Sequence, residues 1–268
     1  MAEKIPATVI TGFLGAGKTS LIRHLVENNQ GRRLAFLINE FGDLGIDREL
    51  LLGCGIEGCD EDDVVELANG CICCTVADDF LPAMESLLAR DEQPDHILIE
   101  TSGLALPKPL VKAFNWPEIR SKVTVDGVVT VVDANAVADG RMAPDPVAVQ
   151  AAREADPALD HDDPLEEVFE DQLSCADVVV LNKCDLVDSE KVPSLREELA
   201  AQLRDGTKIV RAAHAQLDPA VLLGLGAASE DDLDNRPSHH DGVDGEHDHD
   251  DFESFVIGLG PVENVDGL

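Results

Sequence analysis

One octapeptide constrains the fold of this chain more than any other segment. Residues 12–19, the phosphate loop, match the pattern G-x-x-x-x-G-K-[ST] in full. The apolar run 7–11 precedes them, and apolar residues at helical spacing follow over 17–26. Because a loop between a strand and a helix points backbone N–H groups at phosphates, we expect Lys18 to reach the β- and γ-phosphates and Thr19 to offer a hydroxyl to Mg²⁺. The nucleotide ligands predicted in this segment are Gly12, Gly15, Ala16, Gly17, Lys18, Thr19 and Ser20.

Short apolar runs alternate with helical patterns along the rest of the chain. The runs are continuous and rich in β-branched residues, which is typical of strands buried on both faces of a parallel sheet. We therefore predict an α/β fold of the P-loop NTPase type, with a mostly parallel sheet flanked by helices. The predicted strands are 7–11, 34–38, 96–99, 127–132, 177–181 and 208–210. The predicted helices are 17–26, 78–90, 105–115, 164–174 and 189–204.

The charge balance excludes several classes of partner. Acidic residues number 54 and basic residues 20 among 268, a formal charge of −34. Such a chain repels nucleic acid and anionic lipid, so a phosphate ligand must be held by a local device such as the phosphate loop. No apolar run approaches the ~18–20 residues of a membrane span.

The number of cysteines indicates their redox state. There are seven, which is an odd number, and no apolar export segment precedes them, so we expect reduced thiols in a cytoplasmic protein.

A base-reading motif directly follows the predicted strand 177–181. Asn182, Lys183 and Asp185 form the pattern N-K-x-D. A carboxylate only accepts hydrogen bonds, and guanine presents two adjacent N–H donors that adenine lacks. The motif therefore predicts that GTP rather than ATP is bound, with these three residues as ligands.

A second acidic motif ends the predicted strand 96–99. Glu100 is followed by Thr-Ser and then Gly103, an order in which P-loop enzymes use the acid near Mg²⁺ and the glycine at the γ-phosphate. We predict Lys18, Thr19 and Glu100 as catalytic residues. Leu104 stands where Ras-type enzymes place the glutamine that orients water, so we expect intrinsic hydrolysis to be slow.

Three thiols within four residues predict a metal site. Cys71, Cys73 and Cys74 follow Gly70 in a turn. Thiolates prefer soft or borderline ions such as Zn²⁺, Co²⁺ or Cu⁺. Glu40 or a neighbouring thiol is a candidate fourth ligand, and a redox switch or small core cysteines remain as alternatives. Cys54 and Cys59 are candidate accessory thiols, whereas Cys175 and Cys184 are predicted to fill the core.

Composition divides the chain into three parts. We predict a GTPase domain over 1–225, an acidic His-rich disordered loop over 226–251, and the start of a C-terminal α/β domain over 252–268. The loop has almost no apolar residues and cannot bury a core of its own. Its four histidines predict weak, exchangeable metal collection; they are His239, His240, His247 and His249.

Taken together, these motifs resemble the CobW family of metal-handling P-loop GTPases. The resemblance extends from residue 5 to about 225 and is carried by 12–19, 39–42, 69–74, 100–103 and 182–185. Additional stretches are similar to the cobalamin-biosynthesis members of the family; they are 114–117, 160–161 and 170–173. The chain departs from the family pattern in its C-terminal domain, which is absent or only begun.

The resemblance implies a function that residue chemistry alone does not fix. It implies a GTPase that binds Mg-GTP, carries Co²⁺ or else Zn²⁺ on Cys71, Cys73 and Cys74, and uses 39–47 as its first switch. The implied role is a GTP-dependent metallochaperone that supplies cobalt for cobalamin biosynthesis, with a client metalloenzyme or cobalt-inserting chelatase as partner. The alternatives are a metal buffer with regulatory nucleotide binding, and a P-loop kinase with a structural zinc.

Overall fold

The strands form one parallel sheet, as the sequence predicts. The computed structural model describes residues 4–39, 64–67, 80–155, 164–239 and 241. Seven strands lie in the order β3-β2-β4-β1-β5-β6-β7, and each neighbouring pair is parallel. They are β1 Ile5–Thr11, β2 Leu34–Asn39, β3 Val64–Leu67, β4 His96–Glu100, β5 Val123–Asp133, β6 Val178–Asn182 and β7 Lys208–Arg211.

Helices cover both faces of this sheet. Within the described ranges they are α1 Lys18–Glu27, α2 Leu81–Leu88, α3 Pro107–Ala113, α4 Pro117–Arg120, α5 Ala134–Ala138, α6 Pro146–Ala155, α7 Leu165–Cys175 and α8 Val192–Ala200. Single 3₁₀ turns lie at 184–186, 219–221, 229–231 and 233–235. No helix among these is long and apolar enough to cross a bilayer.

Burial on both faces explains the continuous apolar strands. On β2, Leu37 packs in the cluster that contains α2, α3 and α4, while Phe36 packs on the opposite face in the cluster that contains α1. A third cluster joins the ends of β5 and β6 to α7 and α8. Successive strand residues point to opposite faces, so apolar residues occupy consecutive positions rather than alternate ones.

The sequence analysis did not anticipate strand β3. The strand has only four residues, one of them Glu66, so it gives no continuous apolar signal. In the sheet it pairs with β2, with Asn39 opposite Leu67. Because the two strands are parallel, the chain leaves both at the edge from which the phosphate loop leaves β1.

The segment after residue 225 differs from the predicted disordered loop. Residues 226–239, together with Asp241, lie against the domain, and we call them the strap. Arg236 is only 1% exposed; it donates to the carbonyl oxygen of Cys175 and, at 2.7 Å, to Asp177. Specific ion pairs therefore replace the solvation that the acidic composition implied. Residues 242–268 lie outside the described part of the chain.

Candidate nucleotide site

The phosphate loop depends on glycine at two close approaches. Gly12 and Gly17 have φ of +130° and +108°, a left-handed region that favours glycine. A Cβ on Gly12 would lie 2.2 Å from the carbonyl oxygen of Val131, and one on Gly17 would lie 2.4 Å from the amide nitrogen of Asn182. The loop therefore packs closely against the ends of β5 and β6. Glycine is required at both positions, for its conformation and for the lack of space.

Lys18 is folded over the phosphate loop. It is the first residue of α1 and is 7% exposed. Its Nζ donates to the carbonyl oxygen of Gly12 at 2.8 Å. The ammonium group thus lies beside the backbone N–H groups at the start of α1, where anions bind favourably. This is the arrangement that the sequence motif predicts for a phosphate ligand.

Thr19 and Glu100 meet across the sheet edge. Glu100 is the last residue of β4, pairs with Ile10 of β1, and is 7% exposed. The hydroxyl of Thr19 donates to Glu100 Oε1 at 3.0 Å. A hydroxyl and a carboxylate, next to the phosphate loop, are hard oxygen donors of the kind Mg²⁺ prefers. The two residues predicted to serve Mg²⁺ are therefore brought together.

The loop after Glu100, residues 101–106, lies against the phosphate loop. A Cβ on Gly103 would lie 2.6 Å from the backbone nitrogen of Leu14, so glycine is required for the approach. The side-chain amide of Gln172 donates to the carbonyl oxygens of Gly103 and Ala105 at 3.2 and 3.1 Å. Sequence reasoning did not select Gln172 as a site residue, because this buried helical glutamine belongs to none of the nucleotide-binding motifs.

Asn182, the last residue of β6, bonds two loops. Its Nδ2 donates to the carbonyl oxygen of Ala16 at 2.9 Å, and its Oδ1 accepts from the backbone nitrogen of Ala215 at 2.9 Å. The residue is 2% exposed. In this structure Asn182 therefore joins the phosphate loop to the turn after β7.

Lys183 lies between the phosphate loop and a buried acid. Its φ is +58°, and its Nζ donates to Gly15 O at 2.7 Å and to Asp133 Oδ2 at 2.6 Å. Asp133 is 2% exposed and also accepts from two backbone N–H groups at the start of α5. Sequence reasoning missed Asp133, although an acid at the end of a strand before a helix is an N-cap signal.

Asp185 is the open member of the base motif. Its side chain is 28% exposed, and its Oδ2 lies 3.5 Å from Nε2 of His214, which is 76% exposed. His214 and Ala215 have φ of +53° and +57°, so two successive non-glycine residues are held in the left-handed region. The carboxylate therefore remains accessible to a ligand at the rim.

The predicted metal ligands lie outside the described residues. They are Glu40, Cys71, Cys73 and Cys74. Within the described ranges, no three His, Cys, Asp or Glu side chains cluster as a metal site.

Cys175 is 1% exposed, and burial raises the pKa of its thiol to about 11, as expected for a core cysteine. Cys184 is partly exposed, and partial burial raises its pKa.

Comparison with known proteins decides the family. Residues 6–211 match the nucleotide-binding domain of the CobW/HypB/UreG family. The chain belongs to this family. The resemblance drawn from the motifs is thereby confirmed, as is the P-loop GTPase fold, and the activity of the nucleotide site in this family is GTP hydrolysis.

Several curated proteins are similar over most of the chain. The "Zinc chaperone CobW" of Sinorhizobium sp is 58% identical over 262 residues, which cover 97% of this chain and 74% of that protein. The protein of the same name from Pseudomonas aeruginosa is 56% identical over 242 residues, 89% of this chain and 64% of that protein. "Zinc-regulated GTPase metalloprotein activator 1" of Schizosaccharomyces pombe is 35% identical, and the chain spans 52% of its length.

Solved structures share the fold. The Zn(II)-bound YjiA GTPase from E. coli superposes with a TM-score of 0.52 at 23% identity, covering 84% of this chain and 62% of that one. A Zn(II)-bound triple mutant of YjiA gives a TM-score of 0.53 at 24% identity with the same coverage. Strand and helix order are therefore common to both proteins.

Proposed function

We propose that this CobW-family GTPase is a metallochaperone that binds Zn²⁺ in its GTP state and releases it to a client protein on hydrolysis. The ligands in this proposal are Cys71, Cys73 and Cys74, with Glu40 as the fourth. The observation that carries it is the pairing of β2 with β3, because it makes the chain segments leading to both ligand groups neighbours at the nucleotide edge.

Sequence distances from the strand ends set the reach of these ligands. Glu40 immediately follows β2, and Cys71 is four positions after the end of β3. Adjacent strands lie ~4.8 Å apart, and four residues span at most ~14 Å. Ile38 of β2 also pairs with Glu100. This arrangement supports a metal site within reach of the Mg²⁺ and γ-phosphate region, so that occupancy can depend on the nucleotide.

Zinc is favoured over cobalt on two grounds. Relatives that are 56–58% identical carry the name zinc chaperone. In addition, an N, O or S site without special geometry binds Zn²⁺ more tightly than Co²⁺. This reverses the order that the family resemblance implied. Cobalt, delivered to a cobalt-inserting enzyme of cobalamin biosynthesis, remains the alternative cargo.

The residues around the nucleotide have distinct roles in this proposal. Lys18 and the start of α1 hold the phosphates, while Thr19 and Glu100 hold Mg²⁺. When bound, Mg²⁺ neutralises charge that develops on the phosphate oxygens. Asp185 reads guanine. Leu104 offers no group that orients water, so intrinsic turnover is expected to be slow.

Metal titration in defined nucleotide states tests the proposal. Zn²⁺ and Co²⁺ affinities are measured with Mg²⁺ and a non-hydrolysable GTP analogue, with Mg-GDP, and without nucleotide. We expect tighter binding with the analogue, and a thiolate-to-Co²⁺ absorption band that is lost when Cys71, Cys73 and Cys74 are replaced by Ser. Cys184→Ser is the matched control, since its thiol lies at the base motif, and the band should persist.

The same titration separates chaperone from buffer. Equal affinities in the three nucleotide states would contradict the chaperone mechanism and support a metal buffer whose nucleotide is regulatory. Persistence of the Co²⁺ band in the triple Ser variant would instead show that the thiols are not the site.

A further inference from the structure

The strap follows the groove between α3 and α7 towards the nucleotide edge. Near the opposite edge, Asn115, just beyond α3, donates to the carbonyl oxygen of Glu230 at 2.7 Å. At the other end, Lys108 donates to both carboxylate oxygens of Asp241 at 2.6 Å. Because α3 begins at Pro107, directly after loop 101–106, the far end of the strap is anchored beside the loop that faces the γ-phosphate.

Helix α7 holds the same end of the strap. Asp171 is 5% exposed and accepts from the hydroxyl of Ser238 at 2.6 Å and from the backbone N–H of His239 at 2.9 Å. The imidazole Nε2 of His239 lies 2.8 Å from Glu170 Oε2, and this hydrogen bond raises the pKa of His239. Two successive acids of one helix therefore fix the strap where its histidines begin.

The next residue of α7 holds loop 101–106. Gln172 is fully buried and donates to the carbonyl oxygens of Gly103 and Ala105, while its own carbonyl oxygen accepts from Thr130 at 2.8 Å. Within the described structure its side-chain Oε1 is buried without a hydrogen-bond partner. A buried polar atom without a partner is uncommon in native proteins, and strain or a bound water accounts for such cases. Gln172 therefore holds the loop through the two hydrogen bonds of its Nε2.

We propose that α7 couples the nucleotide to the strap: Gln172 senses loop 101–106, and Asp171 holds or releases Ser238 and His239. A γ-phosphate attracts the backbone N–H of Gly103 and draws the loop away from α7. Lys108 lies two residues after that loop, and Asp171 precedes Gln172, whose side chain bonds the loop. GTP binding therefore loosens the strap end that leads into the His- and Asp-rich segment. This coupling requires nucleotide binding but not metal delivery, so it can fail or hold independently of the proposed function.

Hydrogen exchange gives a direct readout of the coupling. The backbone N–H of His239 donates to Asp171 of α7 at 2.9 Å, so its exchange reports docking of the strap. The backbone N–H of Ser238 donates at 2.9 Å to Asp241, which Lys108 of α3 holds, so its exchange reports docking indirectly. We expect these two amides to exchange about 5-fold faster with Mg²⁺ and a GTP analogue than with Mg-GDP, the low end of typical allosteric coupling. Equal exchange in the two states would overturn the proposal.

Variants test reciprocity. Ser238→Ala removes the hydroxyl bond to Asp171 without touching the core, and because linkage is reciprocal it should raise the affinity for the GTP analogue relative to GDP. Gln172→Met keeps the side-chain volume but removes both donors, and should abolish the nucleotide dependence of strap exchange. A thermal melt checks that Gln172→Met is folded.

A strap contact far from the loop provides the control. Asp231 pairs with Arg120 at 3.9 Å in an exposed position near the other end of the strap. Asp231→Ala should leave both the nucleotide preference and the exchange at Ser238 and His239 unchanged. If Ser238→Ala behaves like Asp231→Ala in nucleotide preference, the strap is a passive cover and the proposal fails.

Discussion

Three acidic side chains, two at one edge of the sheet and one at the other, have opposite surroundings. At the edge opposite the nucleotide site, Asp126 accepts from the backbone nitrogens of residues 224, 225 and 226 at 2.6–3.0 Å. Asp177 accepts from Arg236, Arg204, Ser229 and the nitrogen of Val128. At the nucleotide edge, the carboxylate of Asp185 is 28% exposed and lies 3.5 Å from the imidazole of His214. The difference separates carboxylates whose acceptor positions are filled by fixed donors from an exposed carboxylate that can still accept hydrogen bonds from a ligand.

The electrostatics of Asp177 follow from this saturation. Burial alone would raise its pKa, but hydrogen bonds from Arg236 and Ser229 overcome that effect and hold the pKa below its usual value. The carboxylate is thus kept ionised, and it accepts hydrogen bonds from the strap residues Ser229 and Arg236. Among the described residues, Asp185 has no such set of donors, which agrees with its proposed role in binding guanine.

Lys18→Ala is expected to give the largest effect at the nucleotide edge. Removing the ammonium group should weaken Mg-GTP binding by about 1000-fold, since charge-assisted bonds to phosphates are strong and the chain carries a formal charge of −34. Isothermal titration calorimetry measures the affinity. Lys191→Ala removes an exposed lysine elsewhere and should bind normally; normal binding by Lys18→Ala would contradict the assignment of the phosphate loop.

Asp177→Ala is expected to give the next largest effect, on stability. Arg236, 1% exposed, would lose the carboxylate to which it donates at 2.7 Å and keep Asp232 at 4.0 Å, which costs about 3–5 kcal/mol of unfolding free energy. Urea unfolding measures the loss. The folded fraction should bind GTP as the parent does, and a stability within ~1 kcal/mol of the parent would refute the structural role of this acid.

Asp185→Asn tests the binding acid in the opposite way. Replacing one carboxylate oxygen by an N–H donor should weaken GTP by about 100-fold, or ~2.7 kcal/mol, and reduce the preference over ATP. Because the side chain is 28% exposed, unfolding free energy should change little. Competition binding with GTP and ATP is the test. If the parent protein binds the two nucleotides equally, Asp185 does not recognise guanine.

The smallest expected effect is a loss of stability in acid, caused by His96. This first residue of β4 is 2% exposed, and burial lowers its pKa to about 4 from an ordinary 6.5. Between these two pKa values, His96 is protonated in the unfolded chain but not in the folded one. The free energy of unfolding is therefore highest above pH ~6.5 and decreases as the pH falls towards 4. Between pH 6.5 and 5 the loss should be about 2 kcal/mol.

A variant that keeps the contact isolates this histidine. His96 lies 2.8 Å from the hydroxyl of Thr8, and glutamine can retain a hydrogen bond there without titrating. His96→Gln should lose less stability than the parent between pH 6.5 and 5. An identical pH dependence in the two proteins would show that other groups dominate acid unfolding.

The sequence predicted local features well and long-range ones poorly. The phosphate loop and the strand ends were predictable, because both are written in short contiguous patterns. The roles of Asp133 and Gln172 depend on partners 50 to 69 positions away, Lys183 and the carbonyl oxygens of Gly103 and Ala105, and no local pattern encodes them. The order in the strap was missed for the same reason, since Arg236 is stabilised by Asp177 rather than by neighbouring apolar residues.

The central place of β1 in the sheet has a kinetic consequence. β1 is the first strand made, yet its partners come much later: Ala7 pairs with Ile97, and Ile5 pairs with Val123. At ~5–20 residues per second, the strand waits roughly 6–24 s during synthesis before both neighbours exist. The phosphate loop cannot close before then, so GTP cannot assist the early steps of folding. The nascent chain must instead keep this buried strand from pairing with other chains during that interval.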